Sequence, residues 1–412
     1  MSKCVSLPLP CGLAKVHIPR FVLFDGCYLS KSDILSGLAA ECDGTSHRAT
    51  HVILTRYNTV VFLVNAGLLS IGDLIERNIE VRCLARRHGG FSVLWEGNRG
   101  FYVKQHKAPV GRQTLGSPVA LEAALLKQFR CYSSIRERVP QLRVFDASLQ
   151  ALVLDWISDA RPFNAGLYSA KACDAARLLG QDLAALHLGL KTHHAALSAE
   201  LPFISMAHPW PLHLTQWRSF SDKTNSPAQA EWIAHLRGQA DLMAALQRLG
   251  ECWPKEQLIH GDMKWQNCLI AASHTSDSWP APCRFVDWSL AGLGDPLWDV
   301  AGLVQSWIKA WLNNVDIDTS GPPYRVATFD VEAFLPCRRL LAAFWQAYCA
   351  DAISAQRGVR LVELLGARLL QTLFEDAAEE AQTTPTQALL LHFARFLLMA
   401  PEDGAVQLLG SH

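Results

Sequence analysis

The sequence predicts an α+β protein in two lobes, a small β-rich one followed by a larger helical one, with a small α/β addition ahead of both. Three observations carry this expectation. Strand-like apolar runs cluster at residues 80–85, 91–95, 98–104 and 151–154. From residue 170 onward the apolar spacing is mainly helical, most clearly over 170–190. The 412 residues exceed one ordinary core, so two lobes plus an addition are expected, divided as 1–78, 79–157 and 158–412.

The elements follow in order. Ser30-Lys-Ser-Asp33 offers capping side chains for a helix through Glu41. Residues 51–56 and 59–64 are β-rich and separated by Tyr57-Asn58, which predicts a hairpin, and a second helix is expected over 70–78. Residues 1–78 read equally as an appended module or as an elaborated edge of the β-rich lobe. Next, strands at 80–85 and 91–95 flank Arg86-Arg-His-Gly89-Gly90, which by itself is also an ordinary hairpin turn. The alternating strand 98–104 ends at Lys104, and after the breaker Ser117-Pro118 a helical segment carries Glu122. The apolar strand 151–154 runs into Asp155-Trp156-Ile157. Beyond the helix at 170–190, polar or proline-rich loops at 273–282 and 313–324 interrupt helices expected at 299–311, 331–380 and 386–399.

The chemistry concentrates in Leu258-Ile-His-Gly-Asp262-Met-Lys264-Trp-Gln-Asn267 and in Phe285-Val-Asp287-Trp. A hydroxyl attacking a γ-phosphate must be oriented and relieved of its proton, and Asp262 is the candidate base. Five positions on, Asn267 offers an amide oxygen to a hard cation, and Asp287 supplies a charged oxygen. Magnesium favours such donors and keeps several waters, so these two residues with nucleotide phosphates make a sufficient site. Apolar runs flank both motifs, as expected of short buried strands holding a rigid loop. Taken singly, Asp262 and Asn267 are also ordinary turn residues, and Asp287 an ordinary strand-end carboxylate.

At these residues the chain resembles the aminoglycoside phosphotransferase and choline kinase-like superfamily, whose loop reads His-Gly-Asp-x-x-x-x-Asn and whose metal strand ends in Asp-Trp or Asp-Phe. Gly294-Asp295-Pro-Leu-Trp-Asp299-Val-Ala is similar to the pattern that follows in that family. The resemblance covers about residues 80–400 and implies a protein-kinase-like two-lobe fold that uses ATP and Mg2+. It implies that Gly89 and Gly90 cover the phosphates, that Lys104 holds the α- and β-phosphates with Glu122 as its orienting partner, and that backbone groups of Asp155, Trp156 and Ile157 meet the adenine edge. It also implies that Asp299 pins the loop backbone, whereas Asp295 and His187 read as structural. Lys264 departs from the antibiotic-kinase loop and is similar to protein kinases; its ammonium would steady the transferring phosphoryl group. Glu375, Asp376, Glu379 and Glu380 would meet a cationic acceptor, or form only a solvated helix face.

Composition narrows the partners. Lys+Arg and Asp+Glu balance at 38 each, so there is no overall basic field to draw nucleic acid or an anionic membrane. The 12 cysteines form no C-x-x-C pair, which suits reduced thiols in a cytoplasmic chain. Prolines interrupt the short apolar stretch near Met1, and no run approaches a membrane span. The expected function is ATP-dependent phosphoryl transfer to a hydroxyl of a small molecule. A Ser/Thr kinase acting on a peptide, in peptide maturation for example, and a non-catalytic nucleotide-binding protein are the alternatives.

Overall fold

A computed structural model describes residues 52–85, 90–106, 117–163, 172–201, 204, 209–216, 226–255, 257–271, 282–315, 331–350, 354–380 and 384–410. The helix expected at 30–41, the turn at 86–89 and most of the two later loops lie outside the described residues. The chain forms two compact units. One takes Gln141–Asp159 together with the residues up to Ala123; the other takes Ala124–Pro140 together with the residues from Ala160 onward.

In the first unit, helices α1 (Thr59–Asn65) and α2 (Ile71–Glu76) precede strands β1 (Glu80–Ala85), β2 (Gly90–Trp95) and β3 (Arg99–Gln105). Helix α3 (Pro118–Phe129) begins here, and β4 (Leu142–Asp146) and β5 (Ala151–Asp155) complete an antiparallel sheet of order β1-β2-β3-β5-β4. The register sets Lys104 opposite Gly90 on one side and Leu152 on the other. Ser117-Pro118 starts α3 rather than merely breaking the chain, because the Ser117 hydroxyl accepts the Ala120 N–H at 3.1 Å.

The hairpin expected at 51–64 is not formed. Residues 59–65 wind into α1, although Thr59-Val-Val-Phe-Leu-Val is rich in β-formers. A local turn starts the winding: the Asn58 side chain accepts the Thr55 N–H at 2.6 Å, while the Thr55 carbonyl accepts the Thr59 hydroxyl at 2.6 Å and its N–H at 3.1 Å. Tertiary burial then decides the conformation. Val60, Phe62 and Leu63 enter one core with Leu54, Leu69, Leu74, Ile79, Val81, Phe91, Val93, Val103 and Val153. Each such burial is worth roughly 1.5–3 kcal/mol, more than the whole spread of β-propensity. Helix α2 is as expected, with a Ser70–Asp73 capping box. The buried Gln105 amide ties the preceding strand-free segment to the sheet: it accepts the Leu54 N–H at 2.7 Å and donates to the carbonyls of Val52 (2.8 Å) and Leu149 (2.9 Å).

The second unit is mostly helical. In chain order it holds α4 (Ser133–Arg136), β6 (Ala160–Pro162), α5 (Ala172–Thr192), α6 (His194–Glu200), α7 (Pro227–Arg237), α8 (Ala240–Glu251), β7 (Leu258–Ile259), β8 (Cys268–Ala271), β9 (Arg284–Phe285) and β10 (Gly292–Leu293). Then come α9 (Pro296–Leu312), α10 (Val331–Cys349), α11 (Ala355–Asp376), α12 (Pro385–Met399) and α13 (Pro401–Leu409). The run expected at 331–380 is therefore two helices. Helix α5 packs on α10 where Gly180 faces the Phe344 carbonyl, which an added Cβ would approach to 2.5 Å. Helix α11 packs on α9 and α12. Two small ladders, β7–β10 and β6–β8–β9, frame the segment between Ile259 and Cys268.

Candidate active site

The loop between β7 and β8 is held by backbone and side-chain bonds that leave it little freedom. Gly261 sits at φ +81, and a Cβ there would stand 2.2 Å from the Leu290 carbonyl, so only glycine fits. The Asp299 carboxylate, fully buried on α9, accepts the N–H groups of His260 at 2.7 Å and Gly261 at 2.9 Å. His187 meets the same carboxylate at 3.2 Å and the Tyr348 hydroxyl at 2.9 Å, while the His260 ring meets the Val286 carbonyl at 2.9 Å. Burial pushes the Asp299 carboxyl up, but the His187 hydrogen bond and the charges of His187 and His260 outweigh it and hold the group below the ordinary carboxylate range. Asp295 caps α9 by accepting the Leu297 N–H at 2.9 Å.

Asp262 follows directly and carries two cations. Lys264 Nζ donates to Oδ2 at 2.7 Å, and Arg368 Nη2, reaching over from α11, donates to Oδ1 at 3.1 Å. Burial raises the Asp262 carboxyl, yet the charges of Arg368 and Lys264, with the Lys264 hydrogen bond and His260, prevail and lower it. The group is a carboxylate at neutral pH, suited to accept a hydrogen bond from a hydroxyl. Sequence reasoning missed Arg368. The signal was there: an arginine stands on the apolar stripe Leu361, Leu365, Arg368, Thr372, where a guanidinium must find a partner.

Asn267 is buried and gives its Nδ2 to the Asp262 carbonyl at 2.8 Å, which leaves its Oδ1 as the atom to meet a cation. The Asn267 carbonyl accepts the Val286 N–H at 2.9 Å, so the strand carrying Asp287 is fastened beside it. Asp287 adopts a left-handed backbone, φ 67 and ψ 63, uncommon for a residue with a Cβ, and its Oδ1 accepts the Ser289 hydroxyl at 2.5 Å. One carboxylate and one amide oxygen are the hard donors that magnesium takes. Among the described residues no group of three or more His, Cys, Asp or Glu could hold a metal ion.

In the first unit, Lys104 on β3 donates to Glu122 Oε2 on α3 at 2.7 Å, with both side chains buried. Gly90 is the first residue of β2, and a Cβ there would stand 2.6 Å from the Tyr102 hydroxyl; Gly89 lies outside the described residues. The Asp155 carboxylate is taken by Arg143 in a two-pronged pair at 2.6 and 2.8 Å. Of the backbone donors expected to face adenine, the Asp155 N–H goes to the Gln141 carbonyl and the Trp156 N–H to the Gly100 carbonyl, each at 3.0 Å. The Ile157 N–H donates to none of the described residues. The acidic cluster is also partly engaged: Asp376 pairs with Lys309 at 2.6 Å and Glu375 accepts from Gln371 at 2.8 Å.

The model of a family described as the phosphotransferase enzyme family matches residues 95–361. No curated protein matches. Among solved structures, a thermostable mutant of aminoglycoside phosphotransferase APH(4)-Ia, in complex with AMP-PNP and hygromycin B, is similar at 14% identity and a TM-score of 0.48, covering 83% of this chain and 98% of that one. A microcompartment-associated aminopropanol kinase gives 16% identity and 0.47, covering 80% and 92%. The choline kinase LicA from Streptococcus pneumoniae gives 13% and 0.42, covering 83% and 98%.

Proposed function

Because the chain belongs to the phosphotransferase enzyme family, we propose that it moves the γ-phosphoryl group of ATP to a hydroxyl of a small molecule, with Asp262 as the base. The observation that carries this reading is the joint placement of Asp262, Asn267 and the strand leading into Asp287, tied by the Asn267–Asp262 and Val286–Asn267 hydrogen bonds. Such bracing holds a base and metal-binding oxygens at a fixed spacing without relying on solvent-exposed contacts.

In this mechanism the Asp262 carboxylate accepts the hydrogen bond of the incoming hydroxyl, fixes its oxygen for attack, and takes its proton as the new O–P bond forms and the bond from the γ-phosphorus to the β–γ bridging oxygen breaks, with ADP as the leaving group. Lys264, partly exposed beside it, offers its ammonium to the transferring phosphoryl oxygens. Asn267 Oδ1 and the Asp287 carboxylate would hold Mg2+, which when bound neutralises charge on the phosphate oxygens. Lys104, kept in place by Glu122, pairs with the α- and β-phosphates, and the Ile157 N–H meets the adenine edge. Cys131, Cys173, Cys252, Cys268, Cys283, Cys337 and Cys349 are free thiols, which supports the reducing, cytoplasmic setting proposed here; no described helix is long and apolar enough to cross a membrane.

The test is magnesium-dependent ADP release by the purified full chain against pooled amino sugars, amino alcohols and Ser/Thr-containing peptides. Release stimulated by a small alcohol is the expected result. Stimulation by peptides alone would replace the small-molecule reading.

A further inference from the structure

We infer that Arg368 is a positioning residue for phosphoryl transfer, clamping the Asp262 carboxylate from α11 in the orientation that meets the acceptor hydroxyl. The inference rests on the reading of Asp262 as the base and adds a residue beyond the stretch matched by the family model, which ends at 361.

The geometry is that of a clamp. Arg368 Nη2 reaches Asp262 Oδ1 at 3.1 Å and the neighbouring Met263 carbonyl at 3.4 Å, so one nitrogen grips both the side chain and the backbone of the loop. The guanidinium is held in turn, lying over the Trp298 ring at 5.2 Å. Helix α9 lets it through at Gly302, where a Cβ would stand 2.1 Å from the Met263 carbonyl and 3.2 Å from Arg368 Nε.

Stability alone does not explain this arrangement. The Arg368 side chain is 4% exposed, and its Nε is buried with no hydrogen-bond partner among the described residues, a cost that an apolar residue on the same stripe would avoid. Lys264 also pairs with Asp262, but at 39% exposure it is solvated, free to turn, and the group that must reach toward phosphate. Arg368 is the rigid partner. With Oδ1 fixed by Arg368, the plane of the carboxylate is set even when Lys264 leaves Oδ2 for the phosphoryl group.

Two measurements test this in the full-length chain. In ADP release with the pooled acceptors, Arg368→Gln is expected to lose about 10²-fold in kcat, with the KM for ATP within about threefold of wild type. Arg368→Lys should recover part of the loss, and added guanidinium ion at millimolar concentration should restore turnover to Arg368→Ala. A folded Arg368→Gln variant with turnover within about twofold of wild type overturns the inference, as does a loss confined to the KM for ATP. If Arg368→Gln does not fold, Arg368→Lys carries the test, and full turnover in it overturns the clamp. The second measurement needs no acceptor: in a thermal-unfolding cycle, the melting temperature of Arg368→Gln/Asp262→Asn should fall by less than the sum of the single changes. Additive falls would show no direct coupling and overturn the inference. Retained turnover in Asp262→Asn would remove the base reading and the positioning role with it, whereas an inactive Asp262→Asn beside a fully active Arg368→Gln removes the inference alone.

Discussion

The Lys104–Glu122 pair and the Asp262 cluster are both charged groups taken largely out of water, yet they are assembled differently. Lys104 and Glu122 come from neighbouring elements, β3 and α3, and their side chains are 7% and 1% exposed. Asp262 stands on a loop, gripped from within that loop by Lys264 and from α11 by the buried Arg368. The first pair is buried, so Glu122 holds the Lys104 ammonium by a short charged hydrogen bond. The second has one rigid side and one solvated side. In the proposed mechanism Lys104 needs one oriented ammonium, whereas Asp262 must keep one oxygen reachable by an exchanging acceptor, and the greater exposure around Asp262 suits that role.

Each side of the comparison can be broken. The largest effect is expected for Lys104→Met, which removes the cation 2.7 Å from a buried carboxylate and should cost about 3–5 kcal/mol in urea unfolding, with Lys104→Met/Glu122→Leu recovering much of it. A neutral Lys104→Met would mean that the pair is not sealed. Asp299→Asn comes next, because an amide can accept only one of the two N–H groups of His260 and Gly261; about 1–3 kcal/mol should be lost. Its pH dependence has a definite sign. A carboxyl held below its ordinary range in the folded chain contributes stability above that range, and the contribution fades as pH falls through the folded value. The melting-temperature gap between wild type and Asp299→Asn should therefore stay level from neutral pH to about 5 and narrow in stronger acid. A gap that widens in acid would assign the wrong charge state to this bracket. Smallest is Lys264→Ala, whose solvated pair should be worth under about 1 kcal/mol in the same unfolding assay. A larger loss would erase the contrast between its two cations.

The same contrast decides what could be read from the sequence. The placement of Asp262 and Asn267 on one short loop next to the strand that leads into Asp287 was legible because that spacing survives in one dimension, and β1, β2, β3 and β5 were legible from apolar runs of strand length, whereas β4 (Leu142–Asp146) was not anticipated. The meeting of Lys104 and Glu122 was anticipated from the family resemblance, which places a lysine on the third strand and its glutamate on the following helix. The apolar stripe of α11 marks Arg368 as a buried arginine in need of a partner, but the partner, Asp262, lies 106 positions away across the close approach at Gly302, which no local pattern identifies. The segment 59–65 failed for a related reason. Its β-branched residues favour a strand locally, but the Thr55–Asn58 turn and the burial of Val60, Phe62 and Leu63 in a core shared with Leu54, Leu74 and sheet residues make a helix the better solution. At Trp156 the local reading of an extended hinge could not foresee that its N–H would be taken by Gly100.

The central claim is that Asp262 activates the acceptor hydroxyl, while other residues hold the nucleotide. Its most direct test is Asp262→Asn against wild type, measuring acceptor-stimulated ADP release and, by calorimetry on the same samples, magnesium-dependent ATP binding. The account predicts a loss of about 10²–10⁴-fold in turnover with ATP affinity nearly unchanged. Turnover equal to wild type would contradict it.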